Sequence, residues 1–321
     1  MMERIRIAVV GAGQFGRNHL RNLREMAGAE LVAAVDTDGD RAREAAAEFG
    51  CAGFTDVREL AGKVDAAVVA VPTSHHASVG CLLLEAGVDC LIEKPIAATD
   101  AEARLLIDTA ARRGRVLQGG HLEQFNPVIR ELKKLVTTPL FFEIHRMSMF
   151  SPRSLDVDVV LDLMIHDLDI VLSLVKAPLE EVRAAGVSIL SEKVDIANVR
   201  LQFAGGCVAN LTASRVSTEK VRKLRLFQPA TYISLDFAKQ ELAAYSVSAA
   251  REIGFALPKI EKGESLRLEL ESFLECVRGR TEPVVTGEQA ATSLRVAREI
   301  LDKIDEHSRT VARTLGAAGI R

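Results

Sequence analysis

The sequence has few cysteines and little excess of charge of either sign. Its 321 residues include five cysteines, which form no C-x-x-C pair and no metal-ligand spacing. A scattered, odd-numbered set of this kind predicts reduced core thiols, a cytoplasmic location and no metal site. The formal net charge is −3, without a block of like charges. We therefore expect no nucleic-acid partner and no membrane-surface partner, because both require a basic face.

Long apolar runs and internal repeats are missing as well. No stretch has the length of a membrane span, and a glycine at position 11 interrupts the first apolar segment before it reaches signal-peptide length. The chain does have 48% hydrophobic residues, which is ample for packed cores. Its length predicts two domains, at ~100–200 residues each.

A glycine turn near the start of the sequence is its clearest motif. Apolar residues 4–10 run into G-A-G-Q-F-G at 11–16, and a helical pattern follows at once. Between a strand and a helix, this spacing predicts a dinucleotide-binding turn. The first glycine allows the tight turn, the second lets a pyrophosphate approach, and the third lets helix and strand pack closely. The predicted cofactor contacts in this turn are Gly11, Gly13, Gln14, Phe15 and Gly16.

Asp36 ends the next predicted strand, 20 residues after Gly16. An acid at this distance accepts hydrogen bonds from the adenosine ribose, and it would repel a 2′-phosphate by roughly 4 kcal/mol per close charge pair. NAD is therefore favoured over NADP. Two alternatives stay open: Asp36 serves only to cap its turn, or Arg41 accepts the phosphate of NADP.

Strand and helix patterns alternate through residues 1–121, which predicts an α/β domain with a doubly wound parallel sheet, the Rossmann fold. Residues 122–321 carry alternating strand patterns and late amphipathic helices, and we expect an α+β domain with a mostly antiparallel open sheet. Ligands of parallel sheets bind beyond the carboxyl ends of the strands. Two polar segments follow predicted strands there, P-T-S-H-H at 72–76 and E-K-P at 93–95.

The segment 158–175 combines an apolar helical pattern with a row of polar residues. At spacings of four, four, three and four, the row would lie along one stripe of a helix. Ionisable groups on an apolar helix are costly unless they face a wet cavity or one another, so the row is a candidate active site. A helix end held by its own salt links is the alternative. The residues of the row are Asp158, Asp162, His166, Asp169 and Ser173.

Together, G-A-G-x-x-G, P-T-x-x-H, E-K-P and D-x-x-x-H resemble the glucose–fructose oxidoreductase, inositol dehydrogenase and rhizopine-catabolism (Gfo/Idh/MocA) family over nearly the whole chain. The resemblance implies an NAD-dependent dehydrogenase of a secondary alcohol. It also implies a cis Lys94–Pro95 bond, and a homodimer or homotetramer formed through the free face of the second sheet. The cofactor contacts that it adds are Thr73, His76 and Glu93.

The same resemblance assigns Lys94, Asp162 and His166 to catalysis. A base must take the hydroxyl proton while hydride leaves for the nicotinamide. His166 is the expected base, since the ordinary pKa of histidine, near 6.5, suits that task. Asp162 would orient the substrate or the imidazole, and Lys94 would hydrogen-bond the reacting oxygen. Lys94 as the base, helped by His166, stays an alternative.

The segments 120–127, 151–158 and 162–170 resemble a family branch that oxidises the 3-hydroxyl of UDP-N-acetylglucosamine on a route to lipid A. Arg153, just before the catalytic helix, would suit the diphosphate of the substrate. A surface ion pair would explain this arginine equally well. Two further functions stay open: dehydrogenation of a free polyol or sugar, and regulation by a protein that binds NAD without turnover. The implied substrate contacts are Lys94, His121, Glu123, Asn126, Arg153 and Asp162.

Overall fold

The structure, a computed structural model, describes residues 4–150 and 157–317, with side chains described up to residue 314. The chain divides into two compact units. The first unit comprises the chain up to Phe125 together with Gly263–Leu294, and the second comprises Asn126–Lys262 together with the chain from Arg295 onward. This differs from the predicted single division at 121/122, because a late segment returns to the first unit.

Among the described residues, the first unit contains a six-stranded parallel sheet in the order β3-β2-β1-β4-β5-β6. This confirms the predicted Rossmann fold, in which the chain winds outward in both directions from a central first strand. The fourth and fifth strands are buried along their whole length, as strands covered on both faces are. The strands are β1 (Ile5–Val10), β2 (Ala29–Val35), β3 (Ala52–Phe54), β4 (Ala66–Val69), β5 (Asp89–Glu93) and β6 (Leu117–Gly120).

Helices connect these strands, and short 3₁₀ turns lie at Val57–Leu60, Thr73–His75 and Leu122–Phe125. The sequence pattern at 57–61 predicts a helix, but the structure forms only the first of these turns there. The connecting helices are α1 (Gln14–Glu25), α2 (Gly39–Phe49), α3 (His76–Glu85) and α4 (Asp100–Arg113).

The returning segment contributes a helix to the core of the first unit. Leu270, Phe273 and Leu274 are buried in one apolar cluster with Val9 and Leu20, next to the central strand. Burying side chains of this size stabilises the folded state by about 1.5–3 kcal/mol each. The amphipathic pattern predicted the helix but not its place, because periodicity does not identify the partner. The helix is α7 (Ser265–Gly279), and α8 (Gly287–Ala317) follows it.

The second unit contains, as far as the structure describes it, an eight-stranded sheet in the order β14-β13-β12-β11-β7-β10-β9-β8. All neighbours are antiparallel except β7 and β10, which confirms the expected mostly antiparallel sheet. The exposed last strand was not predicted. The strands are β7 (Phe141–Met149), β8 (Leu179–Val187), β9 (Ile196–Phe203), β10 (Val208–Ser217), β11 (Val221–Gln228), β12 (Thr231–Asp236), β13 (Glu241–Val247) and β14 (Ile253–Ala256).

One face of this sheet packs on helices and buries the core of the second unit. These helices are α5 (Pro127–Leu135), α6 (Ile165–Leu174) and the later turns of α8. The other face carries an aromatic row, one ring on each of five adjacent strands, with successive ring centroids 4.8–5.8 Å apart. No helix in the described ranges is both long and apolar enough to cross a membrane. The aromatic row consists of Phe141, Phe227, Tyr232, Tyr245 and Phe255.

The predicted helix 158–175 starts differently from the expectation. Residues Val160–Met164 form a π-helical turn, in which the amide of Ile165 donates to the carbonyl of Val160 five residues earlier. Asp158 precedes the turn and accepts a hydrogen bond from the amide of Val194 at 2.9 Å. The prediction of one continuous α-helix is wrong at this end, because a π turn carries more residues per turn than an α-helix and interrupts the four-residue spacing.

Candidate active site

The three glycines of the turn have different surroundings. A Cβ on Gly16 would lie 1.7 Å from the carbonyl oxygen of Gly11, and a Cβ on Gly11 would lie 2.4 Å from that of Ala70. Gly11 also has a φ of +98°, which L side chains rarely adopt. A Cβ on Gly13 would meet nothing within 4 Å. Two glycines are therefore required by the fold, and the third leaves space for a ligand.

A cavity of about 950 Å³ opens at this turn. The N-terminus of α1 lies at its edge, with Gly13 at the N-cap and no acidic side chain in the first turn of the helix. The positive end of the helix dipole is therefore available to an anion. The cavity suits a dinucleotide, whose pyrophosphate would meet this helix end. Its lining includes Gly11, Gln14, Phe15, Asp36, Arg41 and Arg58.

Asp36 both supports its turn and lines the cavity. One carboxylate oxygen accepts from the amide of Ala12 and the other from the amide of Asp38, each at 2.9 Å. The guanidinium of Arg41 lies 3.2 Å from the same carboxylate. The structure thus shows the contacts of Asp36 within its turn, while its contact with the ribose and the acceptance of a 2′-phosphate by Arg41 stay predictions.

The two histidines of 72–76 differ in their environment. His75 is exposed and lines the cavity. His76 is buried, with its ring nitrogens 2.8 Å and 2.9 Å from the carbonyl oxygens of Pro95 and Val71. Burial lowers the pKa of His76, against the hydrogen bonds to those carbonyls. This placement favours a structural role for His76 and makes His75 the better candidate for cofactor contact, while half-buried Thr73 begins the 3₁₀ turn beside them.

The E-K-P segment lies at the carboxyl end of β5. The Lys94–Pro95 bond is cis, as the family resemblance implied, and Lys94 is half-buried. The Glu93 carboxylate is buried, with one oxygen 2.7 Å from Nε2 of His19. Burial alone would raise the pKa of Glu93, but the hydrogen bond with His19 and the charges of His19 and Lys94 hold it below its ordinary value. The role of His19 was missed in the sequence, although a histidine three residues after Gly16, one turn into α1, was a usable signal.

Glu269 is a second buried acid near this segment. It lies on α7, is fully buried, and neither of its carboxylate oxygens has a hydrogen-bond partner among the described residues. Burial raises the pKa of Glu269 well above its usual range, and the charge of Glu93 raises it further. Sequence reasoning missed this residue too. An acid on the apolar face of an amphipathic helix was the available signal.

The predicted substrate contacts at 121–126 are buried. His121 and Glu123 are 1% and 4% exposed in the first unit. In the second unit, Asn126 caps α5 by accepting from the amide of Val128, and its Nδ2 donates to the carbonyl of Phe237 at 3.3 Å. Asn126 therefore has a structural task that the prediction did not include. Arg153, the remaining predicted contact, lies outside the described residues.

In the second unit, Asp162 and His166 are both half-buried. Asp162 belongs to the π turn and His166 to the first turn of α6. Asp169, predicted in the same stripe, is buried instead. A partly enclosed carboxylate and imidazole can hydrogen-bond polyol hydroxyls and exchange a proton with them. Asp158 and Ser173 of the predicted row are half-buried like the D-x-x-x-H pair, and the catalytic role of the row stays a prediction.

A Rossmann sheet with an open glycine turn, an acid directly after the second strand and a lysine directly after the fifth defines a dinucleotide-dependent oxidoreductase. Residues 5–121 match the oxidoreductase family with an NAD-binding Rossmann fold, and residues 141–228 match the GFO/IDH/MocA C-terminal domain. The chain belongs to the GFO/IDH/MocA oxidoreductase family. This confirms the resemblance carried by the motifs, and NAD as the cofactor.

Two relatives illustrate the similarity. The UDP-N-acetylglucosamine 3-dehydrogenase of Acidithiobacillus ferrooxidans is 38% identical over 311 residues, covering 93% of this chain and 98% of the relative. Its solved structure superposes with a TM-score of 0.90 at 35% identity, covering 95% of this chain and 99% of that one. The NAD-dependent scyllo-inositol 2-dehydrogenase of Bacillus subtilis is 27% identical over 320 residues, covering 92% and 93% of the two chains.

Proposed function

We propose that this protein oxidises the 3-hydroxyl of UDP-N-acetylglucosamine to the 3-keto sugar nucleotide with NAD. The observation that carries the proposal is the 38% identity to a dehydrogenase of that sugar nucleotide over 93% of this chain and 98% of the relative. Inositol dehydrogenases are also relatives, at 27% identity for one of nearly full length. A free polyol is therefore the second candidate substrate.

Three side chains have proposed roles in the reaction. NAD, when bound, accepts the hydride from the carbinol carbon. His166 takes the hydroxyl proton, and Asp162, four residues earlier, orients the sugar hydroxyls or the imidazole. Lys94 hydrogen-bonds the reacting oxygen and stabilises its developing negative charge. A positioned acid–base group contributes about 10²–10⁴-fold to the rate. Lys94 as the base stays the alternative assignment.

A substrate panel tests the proposed specificity. UDP-N-acetylglucosamine, UDP-N-acetylgalactosamine, myo-inositol, scyllo-inositol and glucose would each be incubated with NAD and with NADP, and reduced cofactor measured by its absorbance. We expect turnover with the UDP-N-acetylhexosamines and NAD. If inositols or glucose react and the sugar nucleotides do not, the specificity proposal fails. If NAD binds but no compound is turned over, the alternative of a regulatory protein that binds NAD without catalysis is favoured.

Two substitutions test the catalytic assignment. His166→Ala and Lys94→Ala are each expected to lower kcat at least ~100-fold, the lower value for an acid–base group, while NAD still binds. The matched control is His145→Ala, a half-exposed histidine on β7 near Glu143, which should keep normal kcat. Near-normal kcat in both His166→Ala and Lys94→Ala would remove these residues from the mechanism.

We also propose that the aromatic row mediates homo-oligomer formation through the open face of the second sheet. Phe227, Tyr245 and Phe255 are 37%, 43% and 55% exposed in the single chain, and an exposed apolar face of this kind is typical of a protein interface. Light scattering of the wild type and of a Tyr245→Ser, Phe255→Ser variant tests this. A monomeric wild type would refute it. A cytoplasmic location and a place in lipid A biosynthesis stay predictions.

A further inference from the structure

Arg146 and Asp167 form a buried ion pair, and Asp167 directly follows His166 of the D-x-x-x-H pair in the chain. Arg146 Nε donates to one carboxylate oxygen of Asp167 at 2.9 Å, and Nη2 donates to the other at 2.7 Å. Both side chains are at most 3% exposed. The guanidinium also lies 5.1 Å from the ring centroid of Phe237. A two-pronged contact of this kind fixes distance and orientation together.

The two partners belong to different elements of the second unit. Arg146 lies on β7, where its backbone pairs with Ala213 of β10 on one side and Arg222 of β11 on the other. Asp167 lies in the first turn of α6, immediately after His166. The pair therefore ties the start of the helix to a central strand of the sheet.

The π turn explains why the start of α6 needs such an anchor. An α-helix propagates its rotation through regular hydrogen bonds, whereas the π turn Val160–Met164 interrupts that pattern just before His166. Successive residues of an α-helix are about 100° apart around the axis. Fixing Asp167 towards β7 therefore fixes the direction in which His166 leaves the helix.

We propose that the Arg146–Asp167 pair is the positioning device of the catalytic helix. It sets the rotation of α6 and thereby the direction of the His166 imidazole relative to Asp162. Neither residue needs to touch the substrate. The inference rests on the proposed function, because it takes His166 as a catalytic group.

A buried ion pair is a weak source of stability, which separates a positioning role from a purely structural one. Desolvation of both charges opposes their attraction, and apolar side chains of similar size often replace such a pair without loss of stability. Removing only one partner leaves a buried charge and destabilises strongly. The informative change therefore removes both charges at once.

The test is the double variant Arg146→Met, Asp167→Leu. We expect a Tm within a few degrees of the wild type and unchanged NAD affinity. We expect kcat, counted per NAD-binding site, to fall ~10- to 100-fold, because a misplacement of about 1 Å has that effect. The KM for NAD should not change. Wild-type kcat in the folded double variant would overturn the proposal, as would a change confined to the KM.

A second variant tests the positioning role of the Arg146–Asp167 pair if the double variant does not fold. Arg146→Lys keeps the charge but loses the two-pronged geometry, and we expect a several-fold lower kcat with nearly normal Tm. The matched control is Arg225→Lys on β11, where the arginine pairs with Glu143 on the partly exposed face of the sheet; its kcat should stay normal. Wild-type kcat in Arg146→Lys also overturns the proposal. If His166→Ala keeps its activity, the proposed catalytic role of His166 has failed, whatever these variants do; the substrate panel tests the proposed function separately.

Discussion

The two units position their candidate functional residues in different ways. In the first unit, backbone geometry shapes the site, since two glycines are required by contacts of 1.7 Å and 2.4 Å and a third leaves a pocket open. In the second unit, side chains shape it, since a buried Arg146–Asp167 pair anchors the helix that carries His166. A backbone site is visible in the sequence because glycine has few substitutes. A site held by side-chain pairs becomes visible only when the fold brings the partners together.

Gly16→Ala is the substitution with the largest expected effect, and it tests whether backbone contacts shape the site in the first unit. Its Cβ would overlap the carbonyl oxygen of Gly11, and overpacking against backbone that cannot move costs about 3 kcal/mol or more. We expect little folded protein, measured by circular dichroism and Tm. The matched variant is Gly13→Ala, whose Cβ meets nothing within 4 Å. It should fold normally and bind NAD at least ~10-fold more weakly. Equal stability of the two variants would break the contrast.

Asp36→Asn tests whether the Asp36 side chain sets the preference for NAD over NADP. The amide keeps an acceptor for one of the two backbone amides that Asp36 bonds and removes the charge that repels a 2′-phosphate. Arg41, 3.2 Å from the Asp36 carboxylate, is then available to that phosphate. We expect the ratio of kcat/KM for NADP to that for NAD to rise about 30-fold, equivalent to about 2 kcal/mol.

Asp40→Asn is the control for this change, since it removes an exposed acid from the same helix start. It should leave the cofactor ratio unaltered. An unchanged ratio of kcat/KM for NADP to that for NAD in Asp36→Asn would mean that Asp36 serves the turn alone.

Glu269→Gln tests the protonation of a fully buried acid on α7 of the first unit. Because burial raises the pKa of Glu269, the folded state holds a proton that the unfolded state releases. The stabilising effect of this bound proton is complete below the pKa of Glu269 in the unfolded state, about 4.3. It declines by about 1.4 kcal/mol per pH unit as the pH rises from there towards the pKa in the folded state. Glutamine does not titrate.

In urea unfolding, the variant should therefore gain stability relative to the wild type as the pH rises above the unfolded-state pKa of about 4.3. Exposed Glu275 on the same helix provides the control, Glu275→Gln, for which we expect no such trend. Parallel pH profiles for the wild type and Glu269→Gln would show that the buried acid does not hold its proton.

Asn126→Ala should have the smallest effect. The side chain caps α5 and reaches Phe237, so we expect a stability loss of about 1 kcal/mol, the usual cost of a lost cap. The KM for the sugar substrate should stay within about threefold of the wild type if the role is structural, a difference of under about 1 kcal/mol. A large rise in that KM, with normal Tm, would restore the substrate contact predicted from the sequence.

Local patterns explain which features were predictable. The Rossmann order, the glycine turn and Asp36 each depend on residues within a short stretch of chain, and spacing alone revealed them. The pairs His19–Glu93 and Arg146–Asp167 join residues 74 and 21 positions apart, and no pattern along the chain links them. The π turn was missed because its residues have ordinary helical character. The fold class was thus accessible from the sequence, while the supports of the site depended on long-range packing.

The return of α7 to the first unit has a consequence during protein synthesis. Leu23 of α1 and Phe273 of α7 share one apolar cluster, yet about 250 residues separate them. At ~5–20 residues per second, a ribosome needs roughly 12 to 50 seconds to make that stretch. The apolar surface of the first unit that α7 covers therefore stays exposed on the growing chain until the strands of the second unit and α7 have been made. Apolar surface that stays exposed during this interval favours aggregation of the growing chain.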